Sequence, residues 1–257
     1  MISCIWLCYP AVLTLVGSSS VLAANAGLTQ ATALSPANLD PDALYRDRER
    51  PASAAAAERT WAARVAADPG DFDSAWKLAK TRYWLGTNGP GSDDDKKKAL
   101  EAGIAAARLA AAARPAAAEG HFWLAANMGA LADAHGLRQG IKYRAPIKAS
   151  LEAALKADPA YLDGSPGRAR GRWYFKVPRL FGGDLKRSEL LLRASLAYKP
   201  DSVISLLFLA ETLIELGKRS EAMAALQAAI AAPSDPDWGP EDARFKAQAR
   251  QMLTTLK

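Results

Sequence analysis

Apolar and small residues recur along this chain at helical rather than alternating intervals. The clearest stretch runs from Asp201 to Pro233. There Leu209, Ala210 and Leu213 precede a turn at Gly217, and Ala222, Leu226 and Ala229 follow it. Steps of three and four residues place such side chains on one helix face, so the pattern predicts two helices joined tightly. Prolines, which cannot continue a helix, punctuate the rest of the chain at Pro69, Pro115, Pro159, Pro200 and Pro233, at intervals of 46, 44, 41 and 33 residues. Between them the motif repeats more loosely. Trp76, Ala79 and Tyr83 are followed by Gly103, Ala107 and Ala110; Leu124, Ala125 and Met128 by Ile147, Leu151 and Ala154; Gly171 and Tyr174 by Leu192 and Ser195.

A helix–turn–helix unit of about 34 residues, with small residues where the helices touch and a proline after the second, is the tetratricopeptide (TPR) pattern. The segment from Asp201 resembles it closely. The resemblance implies an all-α fold, a TPR-like α-solenoid of antiparallel helix pairs, with units near 71–115, 118–159, 164–200 and 201–233. The longer intervals predict insertions between the helices of a unit, at Gly86–Asp95, Leu137–Arg144 and Val177–Gly183. Residues 240–256, with Phe245, Met252, Leu253 and Leu256 as the apolar set, read as a capping helix that shields the open end of the stack. Pro240 and the acids Glu241 and Asp242 suit its first turn.

Composition agrees with helices. Half of the residues are hydrophobic and many of these are alanine, in runs such as Ala54–Ala57 and Ala110–Ala113. Alanine is the best helix former and lets helix axes approach closely. Residues 1–26 are uncharged, apolar and end in small residues, which predicts an export signal cleaved after Ala26, with Ala23 as a second cleavage position; an uncleaved N-terminal anchor is the alternative. Export would place the chain in the periplasm or outside the cell. Residues 27–40 read as a flexible lead-in. Both cysteines, Cys4 and Cys8, lie within the signal, so the rest of the chain has no thiol with which to form a disulfide, attack a substrate or bind a metal.

The chemistry-bearing residues are sparse. His121 stands where such units carry an aromatic residue and reads as a packing group, and His135 sits near a helix end. Asp93-Asp94-Asp95 followed by Lys96-Lys97-Lys98 suits a helix N-terminus better than a cation site, because the acids are adjacent rather than alternate. Gly164-Ser165-Pro166-Gly167 lacks the Lys-Ser/Thr of a phosphate loop. No cofactor, metal or catalytic group is nominated, and the chain is not expected to be an enzyme.

Charge is more informative. The formal net charge is +6, and between Pro166 and Arg187 seven cations face Asp184 alone. Trp173, Tyr174 and Phe175 interleave with them. Arginine stacked on an aromatic ring can hold a carboxylate, a phosphate or an acidic protein surface. Arg168, Arg172, Trp173, Tyr174, Lys176 and Arg179 are therefore candidates for a partner or ligand surface, and His121, Trp123 and Asn127 for a groove. The competing reading buries Trp173 and Tyr174 in the core and leaves the arginines around an exposed face. Nucleic acid is disfavoured by export and by the lack of a docking motif.

Residues 119–184, through Phe122-Trp123-Leu124-Ala125-Ala126-Asn127-Met128-Gly129 and Gly182-Gly183-Asp184, resemble the T component of tripartite ATP-independent periplasmic (TRAP) transporters. That likeness implies a helical scaffold that contacts an extracytoplasmic solute-binding protein. Gly140-Ile141-Lys142, Gly171-Arg172-Trp173-Tyr174 and the segment from Pro240 to Leu256 are similar to the TPR-like domain of the regulator of microtubule dynamics family, which supports the architecture. The expected partner is another protein, solute-binding or envelope; a small anionic or amphipathic ligand is the alternative, and homo-oligomerisation stays open.

Overall fold

The computed structural model describes residues 40–256, so the expected export signal and nearly all of the lead-in lie outside the described residues. Eleven α-helices follow one another there: α1 (Pro41–Arg46), α2 (Pro51–Ala67), α3 (Phe72–Asn88), α4 (Asp93–Ala113), α5 (Ala118–Ala134), α6 (Leu137–Ala157), α7 (Tyr161–Lys176), α8 (Leu185–Leu196), α9 (Val203–Glu215), α10 (Arg219–Ala231) and α11 (Gly239–Leu256). A short 3-10 turn, Arg179–Phe181, lies between α7 and α8. There is no strand among the described residues. Helices α3/α4, α5/α6, α7/α8 and α9/α10 pack as successive hairpins, and α11 rests on α9 and α10. The fold is a TPR-like α-solenoid.

Local chemistry sets the helix ends. Asp71 accepts a hydrogen bond from the Ser74 N–H at 3.0 Å, and the Asp184 carboxylate accepts from the Lys186 and Arg187 N–H groups at 2.9 and 3.1 Å. Ser92 and Asp95 form a reciprocal capping box at the start of α4, which puts the acidic triplet in the helix's first turn. At the other ends, Asp68, Arg114 and Asp158 each precede a proline and are extended, with ψ of 96°, 82° and 102°. A proline ring disfavours helical geometry in the residue before it, so each helix stops there.

Two expected insertions are smaller than the proline intervals suggest. Only residues 89–92 separate α3 from α4, and Leu137–Arg144 is not a loop but the first turns of α6. Leu137, Ile141 and Arg144 keep helical spacing, and the extra length between prolines went into longer helices. Val177–Gly183 does connect α7 to α8 outside an α-helix.

Alanine forms the helix contacts. Ala57, Ala75, Ala79, Ala107, Ala110, Ala154, Ala210, Ala222 and Ala229 are fully buried. Larger side chains fill the spaces between pairs, with Leu100, Leu131 and Leu151 in one cluster and Leu192, Leu207 and Leu226 in another.

Candidate functional site

The first helix of each pair faces inward, so α3, α5, α7 and α9 line one concave surface. Helix α11 and the 233–238 link complete it around a chamber of about 390 Å³. Its aromatic wall comes from Tyr83, Phe122, Trp123, Phe208, Trp238 and Phe245. Phe122 and Trp123 meet edge to face at 5.1 Å, Tyr83 lies 5.7 Å from Trp123, and Phe208 lies 6.3 Å from Phe245. The Trp123 indole donates to the Tyr161 hydroxyl at 3.0 Å, which fixes the ring.

Side chains join the two ends of the stack across this chamber. Arg48, in the α1–α2 link and 3% exposed, donates at 2.7 Å to both the Asp237 carbonyl and the Glu241 carboxylate. Its guanidinium lies 5.0 Å from the ring centres of Tyr45 and Trp84, and its carbonyl accepts from the Trp84 indole at 3.0 Å. Arg244 of α11 donates to Asn88 of α3 at 2.6 Å. Lys80 sits over Tyr45 at 4.5 Å and Trp238 at 5.7 Å. Burial, aided by the Arg48 charge, lowers its pKa to about 8.

The cations of the wall differ in how they are compensated. Arg172 pairs with Glu211, which also accepts from Gln248 at 3.2 Å, and it stacks on Phe208 at 4.2 Å. Lys199 pairs with Asp235 and Asp163. Arg168 donates to the Ser165 hydroxyl at 2.5 Å, and Ser165 in turn donates to the Leu162 carbonyl at 2.6 Å, but no carboxylate of the described residues lies within ion-pairing distance of Arg168. Burial lowers its pKa to about 10, so at neutral pH it is still a cation. The backbone beneath it is strained. Leu162 and Asp163 have φ of 44° and 56°, and a non-glycine residue adopts that left-handed geometry only when its surroundings impose it.

The residues singled out in the sequence divide among several places. Arg168, Arg172 and Trp123 meet at the chamber. Trp173 and Tyr174 are core residues; Trp173 donates to the Arg144 carbonyl at 3.1 Å, and the Tyr174 hydroxyl accepts from Arg170 and Arg187. Lys176 is half-buried near Asp133, and Arg179 is exposed on the 3-10 turn. His121 lies 2.9 Å from the Pro115 carbonyl, outside the chamber wall. Asn127 is fully buried, with its amide donating to the Ala79 and Trp123 carbonyls, so it ties α5 to α3. Nor do the arginines simply ring an exposed face, since Arg170 and Arg172 are 4% and 5% exposed. Sequence reasoning missed Arg48, Phe208 and Trp238. A tryptophan in a polar turn, at Trp238, was the available signal.

Near the Arg172 pair, both carboxyl oxygens of Asp133 are buried without a hydrogen-bond partner. Burial raises its pKa to about 8 against the pull of Lys176 and Arg172, the two charges that oppose the shift. With the folded pKa above the unfolded one, the folded state holds the extra proton between about pH 4 and 8, so this group's contribution to stability falls as pH rises through that window. In Asp133→Asn that dependence is expected to vanish. Melting temperatures of variant and wild type should diverge in the variant's favour from pH 5 to 8, and parallel curves would contradict the assignment.

The chain matches a family model described as regulator of microtubule dynamics protein 1-3 over residues 42–181, and a tetratricopeptide repeat model over residues 182–249. No curated protein matches it. Among solved structures it is similar to TTC0263, a thermophilic TPR protein in Thermus thermophilus, with a TM-score of 0.62 and 21% identity over 86% of this chain and 100% of that one. At that identity the likeness shows the fold. The MamA protein is more distant, at 15% identity over 81% of this chain and 92% of that one, with a TM-score of 0.49.

Proposed function

Because this chain belongs to the regulator of microtubule dynamics protein 1-3 family and folds as a TPR-like interaction scaffold, we propose that it works through its central chamber, which receives an anionic, amphipathic segment of a partner protein. The observation that carries this reading is Arg168. A partly buried guanidinium without a carboxylate partner, set in an aromatic wall, favours an incoming anion whose apolar part the rings can cover. The volume of about 390 Å³ falls in the range of small-ligand pockets and would hold a few side chains rather than a folded domain.

The partner we propose is extracytoplasmic, a solute-binding or envelope protein. The uncharged, apolar N-terminal segment and the likeness of residues 119–184 to the TRAP T component support that setting. Because the setting we propose is extracytoplasmic, the cytoskeletal role in the family's description is not part of this reading.

Arg168→Ala is the test. Hydrogen bonds to a charged group contribute about 1.5–3 kcal/mol, so the variant should bind the partner recovered by wild-type protein roughly 10- to 100-fold more weakly. Its unfolding midpoint should stay unchanged or rise, because an uncompensated cation has been removed from a partly buried site. Equal recovery by wild type and variant would place the partner elsewhere. A free anionic amphipath in the same chamber is the second reading, favoured by the side-chain closure across its ends. Thermal shift by such compounds, lost in Arg168→Ala without any protein partner, would select it.

A further inference from the structure

Away from the chamber, one edge of the solenoid carries large apolar side chains that the described residues leave largely exposed. Leu137 and Ile141, one turn apart at the start of α6, are 73% and 67% exposed; Leu180 and Phe181, on the 3-10 turn, are 87% and 52% exposed. The two elements are neighbours. The Arg144 guanidinium lies 5.1 Å from the Phe181 ring centre, and Trp173, behind the turn, is hydrogen-bonded to the Arg144 carbonyl. Leu137, Ile141, Arg144 and Lys148 follow helical spacing, so apolar tips and cations share one stripe of α6. Arg138, Lys142 and Arg179 are exposed around it, and neither they nor Arg144 form an ion pair with any carboxylate of the described residues.

We infer that this edge docks on an anionic lipid bilayer surface. Two features favour a bilayer over a folded acidic partner. The apolar side chains stand exposed on two short elements and none of them lines the chamber, and a Cβ placed at Gly140 beside them would meet nothing within 4 Å. Protruding points suit a fluid interface that closes around them. The unpaired cations ring those points at the level where lipid headgroups would lie, and each basic residue near an anionic surface adds attraction that falls off within a Debye length. No helix of the described residues is long and apolar enough to cross a membrane.

Sedimentation of the full chain with phosphatidylcholine vesicles containing about 30 mol% phosphatidylserine tests this, with pure phosphatidylcholine as the reference. Residues 1–26 are themselves apolar, so the comparison is between chains that share them. Wild-type protein should bind the anionic vesicles, less so as salt is raised. Leu180→Ser with Phe181→Ser, and separately Arg138→Glu with Lys142→Glu, should each weaken binding at least about tenfold with unchanged thermal unfolding. Equal binding by all three proteins, or equal binding to neutral and anionic vesicles, would overturn the inference. So would wild-type protein that ignores vesicles but is retained by immobilised polyglutamate, which would give the edge to an acidic protein. Because Arg168 lies outside this edge, failure here leaves the chamber reading intact, and the reverse holds.

Discussion

Replacing Arg48 with alanine is expected to destabilise the protein by about 3–5 kcal/mol and to open the solenoid at its ends. The Arg48 side chain is 3% exposed and that of its partner Glu241 13%, so neither charge is well solvated alone. Removing the guanidinium strands the Glu241 carboxylate and the Asp237 carbonyl, and it empties the space between the Tyr45 and Trp84 rings. Breaking one side of a buried pair costs more than the pair contributes, because the remaining charge loses its compensation. The loss has a shape as well as a size. Among the described residues the α1–α2 link and α3 reach α11 and the link before it through side chains, so without Arg48 the Arg244–Asn88 hydrogen bond, the Lys80–Trp238 stack and the apolar packing of Trp238 must hold the gap. Urea unfolding should show the lower midpoint, and small-angle scattering in the absence of urea should show a larger radius of gyration. An unchanged radius would mean that the remaining contacts hold the closure.

Gly103→Ala is expected to cost about 3 kcal/mol, unusually much for one added methyl group. A Cβ on Gly103 of α4 would fall 2.1 Å from Oδ1 and 2.7 Å from Cγ of Asn127 on α5. Asn127 cannot retreat freely, since its amide already donates to the Ala79 carbonyl at 3.1 Å and the Trp123 carbonyl at 2.8 Å. Either the asparagine moves and leaves its own buried amide without those acceptors, or α4 shifts away from α5. Because Trp123 lines the chamber, the change should also weaken ligand or partner binding. Adding Asn127→Ala to Gly103→Ala would relieve the clash but still lose the hydrogen bonds. Chemical denaturation of both variants separates these contributions, and a Gly103→Ala protein as stable as wild type would rule out the close approach.

How far the sequence reached is seen best in α7. Its aromatic and basic residues were conspicuous, and the chamber does use Arg168 and Arg172. What spacing could not reveal is that neighbouring arginines have opposite roles. Arg172 pairs with Glu211, 39 positions away, whereas among the described residues Arg168 donates to the Ser165 hydroxyl, three positions away, and forms no ion pair. A positive run looks the same in either case, because compensation depends on carboxylates brought from other helices. Asn127 illustrates the reverse. In sequence it stood one helical turn from Trp123, on the same face, as a groove residue, but the approach of α3 buries it completely against the Ala79 carbonyl.

The sequence by itself determined the helices. Alanine-rich runs, steps of three and four between apolar residues, capping acids and serines, and prolines that forbid a helical residue before them act within a turn or two, so they can be read locally. It also determined that the chain would stack as repeated pairs, since each pair has an apolar face it cannot bury alone. Only the tertiary structure decided that the stack closes on itself. That outcome rests on Arg48 meeting Glu241 across 193 residues and Arg244 meeting Asn88 across 156. The curvature that brings them together is the sum of small rotations at every helix contact, and no single stretch of sequence encodes that sum.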